Sequence, residues 1–369
     1  MVSIISFIII LSVLVLVHEL GHFIMAKRAG ILIEEFGFGL PPRLWGKKIG
    51  ETIYSINWLP FGGFVKMYGE DGEEVKTAVA AGKTPGFSGM LAKERAFFNK
   101  PKRVRVIILL AGVVMNFLLG IVLFGAIYTK IGIPEEVDYL IVTGIAKDSP
   151  AEKAGIKLED KIAGVEGVTD WEKEGLAKEF GKFTGEHKGE EIKLKLEDGR
   201  EIKVVLRAEA EIPEGQGALG IAVVNVDTVL YPYWQRPFRG MWVGLKEALA
   251  WGKEIVVSLG MMFYGLFRGE VPKDVAGPVG IYQISQGVIK EGFLTTLQFV
   301  AILSINLSIL NLLPIPALDG GRLLFIAIES VFRKRVKPEI EQVIHLVGIA
   351  FIIGLMILVT VNDVRRLLG

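Results

Sequence analysis

The chain of 369 residues has a formal net charge of +1, a pI near 7.8 and a mean hydropathy of +0.46, with 51% of its residues apolar. Apolar content this high is typical of a membrane protein, and the balanced charge excludes the strong basic field of a nucleic-acid-binding protein. The absence of cysteine excludes disulfides and thiolate metal sites. A transition metal would need nitrogen and oxygen ligands, and the histidines available are His18, His22, His187 and His345.

Four segments are long and apolar enough to cross a hydrocarbon core, which takes about 20 helical residues. They cover approximately residues 2–26, 104–128, 294–314 and 341–361. Lysine and arginine residues flank the loop between the first two segments and the loop between the last two. The positive-inside rule therefore predicts that both loops are cytoplasmic and that the region 129–293 lies outside.

The region 139–226 is predicted to be a small β-rich domain inserted between the second and third spans. Ser149, followed by proline and then by Gly155, is typical of a short capped helix. Apolar residues alternate on both sides of Asp198-Gly199, which predicts a β-hairpin.

Two further segments have a hydrophobic pattern that predicts secondary structure. Residues 49–67 alternate between apolar and polar around turn residues and predict a β-hairpin after the first span. Residues 240–267 are apolar but carry charges in mid-segment, which favours an amphipathic helix on the membrane surface over a fifth span.

The first span contains the pattern H-E-x-x-H, in which His18 and His22 lie one helical turn apart on the same face. Both imidazoles can therefore bind one ion. Glu19 lies beside them, where a carboxylate can act as general base toward a water at the metal. Because an unpaired charge within a span costs about 3 kcal/mol, the pattern favours a metal site over chance polar residues.

A catalytic zinc site usually takes three protein ligands, so a third must come from elsewhere in the chain. Asp319 is the candidate, since it lies within the stretch 311–321, where two prolines and two glycines interrupt an apolar segment. An ordinary helix cap is the alternative for this residue. Asn311 borders the interruption and is a candidate for holding a substrate backbone. His345 is expected to be a packed or interfacial histidine rather than a ligand.

These motifs together resemble the site-2 protease family of zinc intramembrane metalloproteases, in particular its RseP-like bacterial members. The resemblance rests on HELGHF in the first span, NWLPFGGFVKMYGED after it, GPVG at 277–280, and SINLSILNLLPIPALDGG in the third span. It covers nearly the whole chain. The resemblance implies one zinc ion held by His18, His22 and Asp319, with Glu19 as the catalytic residue.

The resemblance also implies that 49–67 is the membrane-associated β element of the family and that 139–226 is its PDZ domain. The candidate substrate-binding residues are Asn311, Pro314, Gly62, Gly63, Phe64 and Val65. The candidate residues for binding a peptide in the PDZ domain are Ala218, Leu219, Gly220 and Ile221.

The sequence thus predicts a polytopic α-helical membrane protein of about four spans, with a membrane-associated β-hairpin region and one inserted PDZ-like domain. Its predicted regions are 1–128 with two spans and the hairpin, 139–226 as an extracytoplasmic PDZ-like domain, 227–293 as an interfacial helical segment with GPVG, and 294–369 with two spans. The family resemblance implies an enzyme of the bacterial inner membrane, with its active site near the cytoplasmic side. Its implied substrates are pre-trimmed membrane-spanning proteins such as anti-sigma factors or remnant signal peptides.

Two alternatives from other classes stay open. A membrane zinc transporter or sensor could use the same ligands, but a transport path is expected to need further ionisable residues through the membrane. A non-catalytic scaffold with a peptide-binding PDZ domain has no need of Glu19, because a structural zinc site does not use a general base.

Overall fold

The computed structural model describes residues 2–70, 94–165, 175–213, 215–268, 277–334, 336 and 338–368. The chain forms two compact units, one made of residues 1–128 and 237–369 and the other of Thr129–Arg236. In the described part of the chain, four helices are long and apolar enough to cross a membrane: Ile4–Arg28, Lys102–Ile131, Phe293–Leu312 and Ile340–Val361. The prediction of four such segments is confirmed.

The described elements follow one another along the chain in a mixed order of helices and strands. They are α1 (Val2–Arg28), β1 (Ile33–Ile49), β2 (Thr52–Met67), α2 (Lys102–Ile131), β3 (Ile133–Ile145), α3 (Pro150–Lys153), β4 (Lys161–Val165), α4 (Leu176–Glu186), β5 (Glu191–Leu196), β6 (Glu201–Val205), β7 (Ile221–Val229), α5 (Arg236–Phe267), α6 (Pro278–Glu291), α7 (Phe293–Leu312), α8 (Asp319–Phe332) and α9 (Pro338–Leu368).

β1 and β2 form a long antiparallel hairpin that folds back on itself. Residues 33–38 pair with 63–67 on one side and with 53–56 on the other, while 43–49 pair with 52–57. The β structure predicted over 49–67 is present, but its main partner strand lies upstream. Glycines and a Pro-Pro pair in β1 interrupt the alternating pattern, which is why the sequence did not reveal that strand. Within the described sheet, 63–67 is an edge.

The first unit is held together by close approaches between its spans. At the crossing of α1 and α2, a Cβ on Gly21 would overlap the backbone of Ala111. On the other side of α2, Ser304 Oγ donates to Asn116 O over 2.7 Å, and Ser308 Oγ donates to Val113 O over 2.8 Å. Hydroxyl groups on α7 thus bind carbonyl groups of α2, which fixes these two spans against each other.

The helix predicted over 240–267 is present as α5, and it is not among the four candidate spans. One of its faces packs on α2 and α7, since Ala248 is fully buried in a cluster with Phe124 and Ile305. Its location at the membrane surface stays a prediction. α6 begins within GPVG, and the carboxylate of Asp363 on α9 accepts the Gly280 N–H over 2.8 Å.

The second unit contains a five-stranded antiparallel sheet with strand order β6-β5-β4-β3-β7. The predicted hairpin is confirmed, with Leu194 opposite Ile202. The short helix is confirmed as α3, whose N-terminal N–H on Glu152 donates to Ser149 Oγ over 3.2 Å. The sheet extends beyond the predicted limits of 139 and 226, because Ile133 at the start of β3 pairs with Val229 at the end of β7.

Candidate metal centre and active site

Three predicted metal ligands from two elements far apart in sequence lie together in the first unit. His18 and His22 project from α1, and Asp319 is the first residue of α8. Asp319 Oδ2 is 2.9 Å from His18 Nε2 and 3.1 Å from His22 Nε2, and the two nitrogens are 3.0 Å apart. Both histidines are buried. Among the described residues this is the one group of three that fits a metal ion.

The chemistry of these three atoms fits a cation. His22 Nδ1 is 2.8 Å from Ile108 O, and because a carbonyl can only accept, Nδ1 carries the proton. His22 Nε2 therefore presents a lone pair toward Asp319. The buried Oδ2 atom of Asp319 has no hydrogen-bond donor within the described structure. Acceptor atoms this close repel each other unless a cation lies among them, so the donor set of two imidazoles and one carboxylate suits zinc.

The second span shapes the centre without supplying a ligand. A Cβ on Gly112 would lie 2.5 Å from His22 Nε2 and 2.7 Å from His18 Cε1. Glycine is therefore required for the two imidazoles to lie against α2. Neither Gly112 nor the carbonyl of Ile108 was identified from the sequence, because a glycine and a backbone carbonyl inside an apolar span carry no distinctive pattern.

Glu19 is half-buried beside the two histidines and is bound by the hairpin. Its Oε2 accepts the backbone N–H of Val65 over 3.1 Å. This hydrogen bond fixes the carboxylate at the edge strand 63–67. Val65 is a predicted substrate-binding residue, and in this structure its amide contacts the candidate catalytic base. Its role in substrate binding stays a prediction.

The other predicted residues of the hairpin lie beside the same helix. A Cβ on Gly62 would contact Val15, and one on Gly63 would contact Leu16. Phe64 lies opposite Gly37 in the hairpin and is half-buried. The edge strand thus lies alongside the turn of α1 that ends at Glu19.

Asp319 follows a loop whose backbone cannot continue the helix. α7 ends at Leu312, and two prolines follow before α8 begins. Asn311 is half-buried in the last turn of α7, and Pro314 is exposed in the loop. A Cβ on Gly320 would overlap the carbonyl oxygens of Leu312 and Leu313, so the loop needs glycine directly after the ligand.

The predicted peptide-binding residues of the second unit lead into β7. Ala218 and Leu219 are buried in the core of that unit, Gly220 has φ +75°, and Ile221 begins the strand. The side chains of Ala218 and Leu219 therefore serve packing. β7 is an edge of the sheet as described, and α4 packs on β3 and β7.

A charged cluster on the second unit joins three of its strands. The hydroxyl of Tyr139 and the ammonium group of Lys161 both donate to Asp227 Oδ2. These hydrogen bonds lower the pKa of Asp227 from 3.8 to about 2, with Tyr139 making the larger contribution.

Four apolar spans, a buried group of two histidines and one aspartate, and a glutamate beside them define a membrane metalloprotease.

The comparisons with known proteins agree with that class. The family model described as Peptidase family M50 matches residues 6–355. A zinc metalloprotease RasP of Geobacillus kaustophilus is 34% identical, with 99% of this chain and 98% of that protein covered. A putative zinc metalloprotease of Clostridium perfringens is 33% identical over 96% of both chains. The regulator of sigma-W protease RasP of Bacillus subtilis is 31% identical over 99% of both. The chain belongs to Peptidase family M50, the site-2 protease family, and is an intramembrane metalloprotease.

Proposed function

We propose that this protease cleaves peptide bonds of membrane-spanning proteins at one zinc ion held by His18, His22 and Asp319, with Glu19 as general base and acid. The observation that carries the assignment is the convergence of three potential ligand atoms, His18 Nε2, His22 Nε2 and Asp319 Oδ2, within 3.1 Å of one another. When bound, zinc polarises the substrate carbonyl and makes a water molecule easier to deprotonate.

The residues of the chain supply the proton transfers and the orientation. Glu19 takes the proton of the attacking water and later gives it to the leaving amine. The Val65 N–H holds the carboxylate at Oε2, which leaves Oε1 for this exchange. The hydrogen bond from His22 Nδ1 to Ile108 O keeps Nε2 unprotonated and available to the metal.

The substrate must be opened before its carbonyl group can be attacked, since a membrane-spanning helix uses its carbonyls in its own hydrogen bonds. The edge strand 63–67 can pair with the opened segment, because an edge presents backbone groups to an added strand. Its position along α1 beside Glu19 supports this role. Asn311, in the last turn of α7, and Pro314, in the loop that leads to Asp319, are assigned to hold the substrate backbone.

The substrate class and the orientation in the membrane follow from the relatives and from charge. The Bacillus subtilis relative is named as a regulator of sigma-W. We assign to this chain substrates of the same kind, membrane-spanning anti-sigma factors or remnant signal peptides already trimmed by another protease. Lysine and arginine residues around the first and third interspan loops support our assignment of the metal centre to the cytoplasmic side of a bacterial inner membrane.

We assign the second unit, Thr129–Arg236, to the PDZ class, on the extracytoplasmic side. Its antiparallel sheet has β7 at one edge with α4 packed beside it, an arrangement that suits the addition of a peptide strand. The backbone around Gly220 and Ile221 would receive the peptide terminus.

The direct test is cleavage of a single-span substrate by the purified full chain in detergent. Glu19→Gln is expected to abolish cleavage while zinc content stays near that of the wild type, and chelation is expected to abolish cleavage by the wild type. Glu179→Gln changes an exposed glutamate on α4 in the same way and is expected to retain activity. Cleavage by Glu19→Gln at the wild-type rate would exclude Glu19 as the base.

Strand pairing needs a separate test that leaves the Val65 N–H in place, because that group binds Glu19. Gly63→Pro removes a backbone donor two residues earlier on the same edge. It is expected to slow cleavage of helical substrates more than cleavage of unstructured peptides. Equal slowing of both substrates would contradict strand pairing.

A further inference from the structure

The loop before Asp319 has a backbone conformation that its own residue disfavours. Ala317 has φ +79°, the left-handed region that residues with a Cβ rarely adopt. Such a conformation persists only where the surroundings hold it. Because Ala317 lies two residues before the metal ligand Asp319, its conformation decides where that carboxylate points.

The fourth span holds this loop through two residues one helical turn apart. The Ala317 N–H donates to His345 Nδ1 over 2.9 Å. At Gly348 a Cβ would lie 2.7 Å from Pro316 O, so the loop rests directly on the backbone of α9. His345 thus provides a hydrogen-bond acceptor for the loop at Ala317, and Gly348 leaves the space that the backbone of Pro316 occupies.

The other side of the imidazole is bounded by a charged pair. Arg322 Nε lies 3.1 Å from His345 Nε2, and the Arg322 guanidinium pairs with Glu70 beyond the end of β2. A neutral imidazole has one acceptor nitrogen, and two N–H donors face the ring. We assign the acceptor to Nδ1, because the Ala317 N–H is the nearer donor, at 2.9 Å against 3.1 Å for Arg322 Nε. The pairing of Arg322 with Glu70 holds the guanidinium beside the ring and connects the residues that follow the hairpin to α8.

We infer that His345 is a positioning residue of the metal centre: by binding the Ala317 N–H it maintains the left-handed loop that directs Asp319 toward His18 and His22. This inference rests on the proposed function, since it takes Asp319 as a metal ligand. His345 touches neither metal nor substrate in this role. His345 acts on the bound ion indirectly, through the backbone of residues 317–319.

Zinc affinity of the full chain in detergent, measured by competition with a chelating indicator, tests the inference without relying on proteolysis. His345→Leu removes the acceptor and is expected to weaken zinc binding by about tenfold to 100-fold, the usual effect of losing a residue that orients a metal ligand. His345→Asn places an amide oxygen near the position of Nδ1 and is expected to bind zinc nearly as the wild type does. Leu346→Ala, on the exposed face of the same helix, is the matched control and is expected to leave affinity unchanged.

A second variant separates positioning from a general effect on folding. Glycine adopts φ +79° without strain, so Ala317→Gly in the His345→Leu background is expected to recover a large part of the lost affinity. Wild-type affinity in His345→Leu, or no recovery in the double variant, would overturn the inference. Asp319→Ala is expected to lose zinc far more strongly than His345→Leu. Unchanged affinity in Asp319→Ala would overturn the ligand assignment itself, and the inference with it.

Discussion

Replacing Gly112 with alanine tests whether the second span sets the position of the two histidine ligands. The substitution adds one methyl group on α2 and removes no hydrogen bond or charge. Its Cβ would lie 2.5 Å from His22 Nε2 and 2.7 Å from His18 Cε1, whereas ordinary van der Waals contact begins at 3.4 Å. The rings or the helix crossing must therefore move by the difference, about 0.9 Å.

A displacement of this size has a large expected effect on the centre. Overpacking by one methyl group costs about 1–3 kcal/mol of folding free energy. A shift of about 1 Å in a reacting group costs about 100-fold in rate. We therefore expect Gly112→Ala to lose about tenfold to 100-fold in zinc affinity, with cleavage falling by at least as much.

The matched control is Gly120→Ala on the same helix. There a Cβ would lie 2.6 Å from Ile305 Cγ1, a similar overlap with a packed aliphatic side chain instead of the ligands. Chelator competition and thermal unfolding in detergent are measured for both variants. Both are expected to lower stability, but Gly112→Ala alone is expected to weaken zinc binding. Equal zinc affinity in the two variants would refute the role assigned to Gly112.

Three further outcomes are expected. Arg105→Met removes the ion-pair partner of the buried Glu329 carboxylate and should cost about 3–5 kcal/mol of unfolding free energy. Lys182→Met at an exposed pair on α4 should cost about 0.5 kcal/mol or less. Removing the metal with a chelator should lower stability by about 2.7 kcal/mol if free zinc was at about 100 times its Kd, and Asp319→Ala should show no such drop. The pKa of the Asp227 carboxyl is lowered from 3.8 to about 2 in the folded unit, so its stabilising contribution is present above about pH 4 and is lost as pH falls through 2. Asp227→Asn should remove that part of the pH dependence of the unfolding free energy. A pH profile parallel to that of the wild type would contradict this expectation.

Much of the centre could be predicted from sequence because its chemistry is local. His18, Glu19 and His22 lie within one turn and a half of one helix, and helical geometry alone directs the two imidazoles to one face. The break before Asp319 is equally local, since proline cannot continue a helix. The four spans follow from the length of their apolar runs.

The upstream half of the hairpin and the limits of the second unit could not be predicted in the same way. β1 contains glycines and a Pro-Pro pair, and its strand character comes from pairing with β2 on both sides of residues 33–38. The ends of β3 and β7 are polar and charged, and it is their mutual pairing from Ile133 to Val229 that extends the sheet. Cross-strand pairing depends on the partner, which local composition does not identify.

Residue type and spacing along one element are enough to identify the residues that can bind the metal, the carboxylate that can move a proton and the segments that can cross a membrane. The hydrogen bond from the Val65 amide to Glu19, the space that Gly112 leaves for the imidazoles, and the contact of His345 with the loop before Asp319 depend on packing between distant segments. These contacts join residues from 28 to 94 positions apart. They are fixed by how helices cross and by the space left between them, and neither property can be read along a single chain segment.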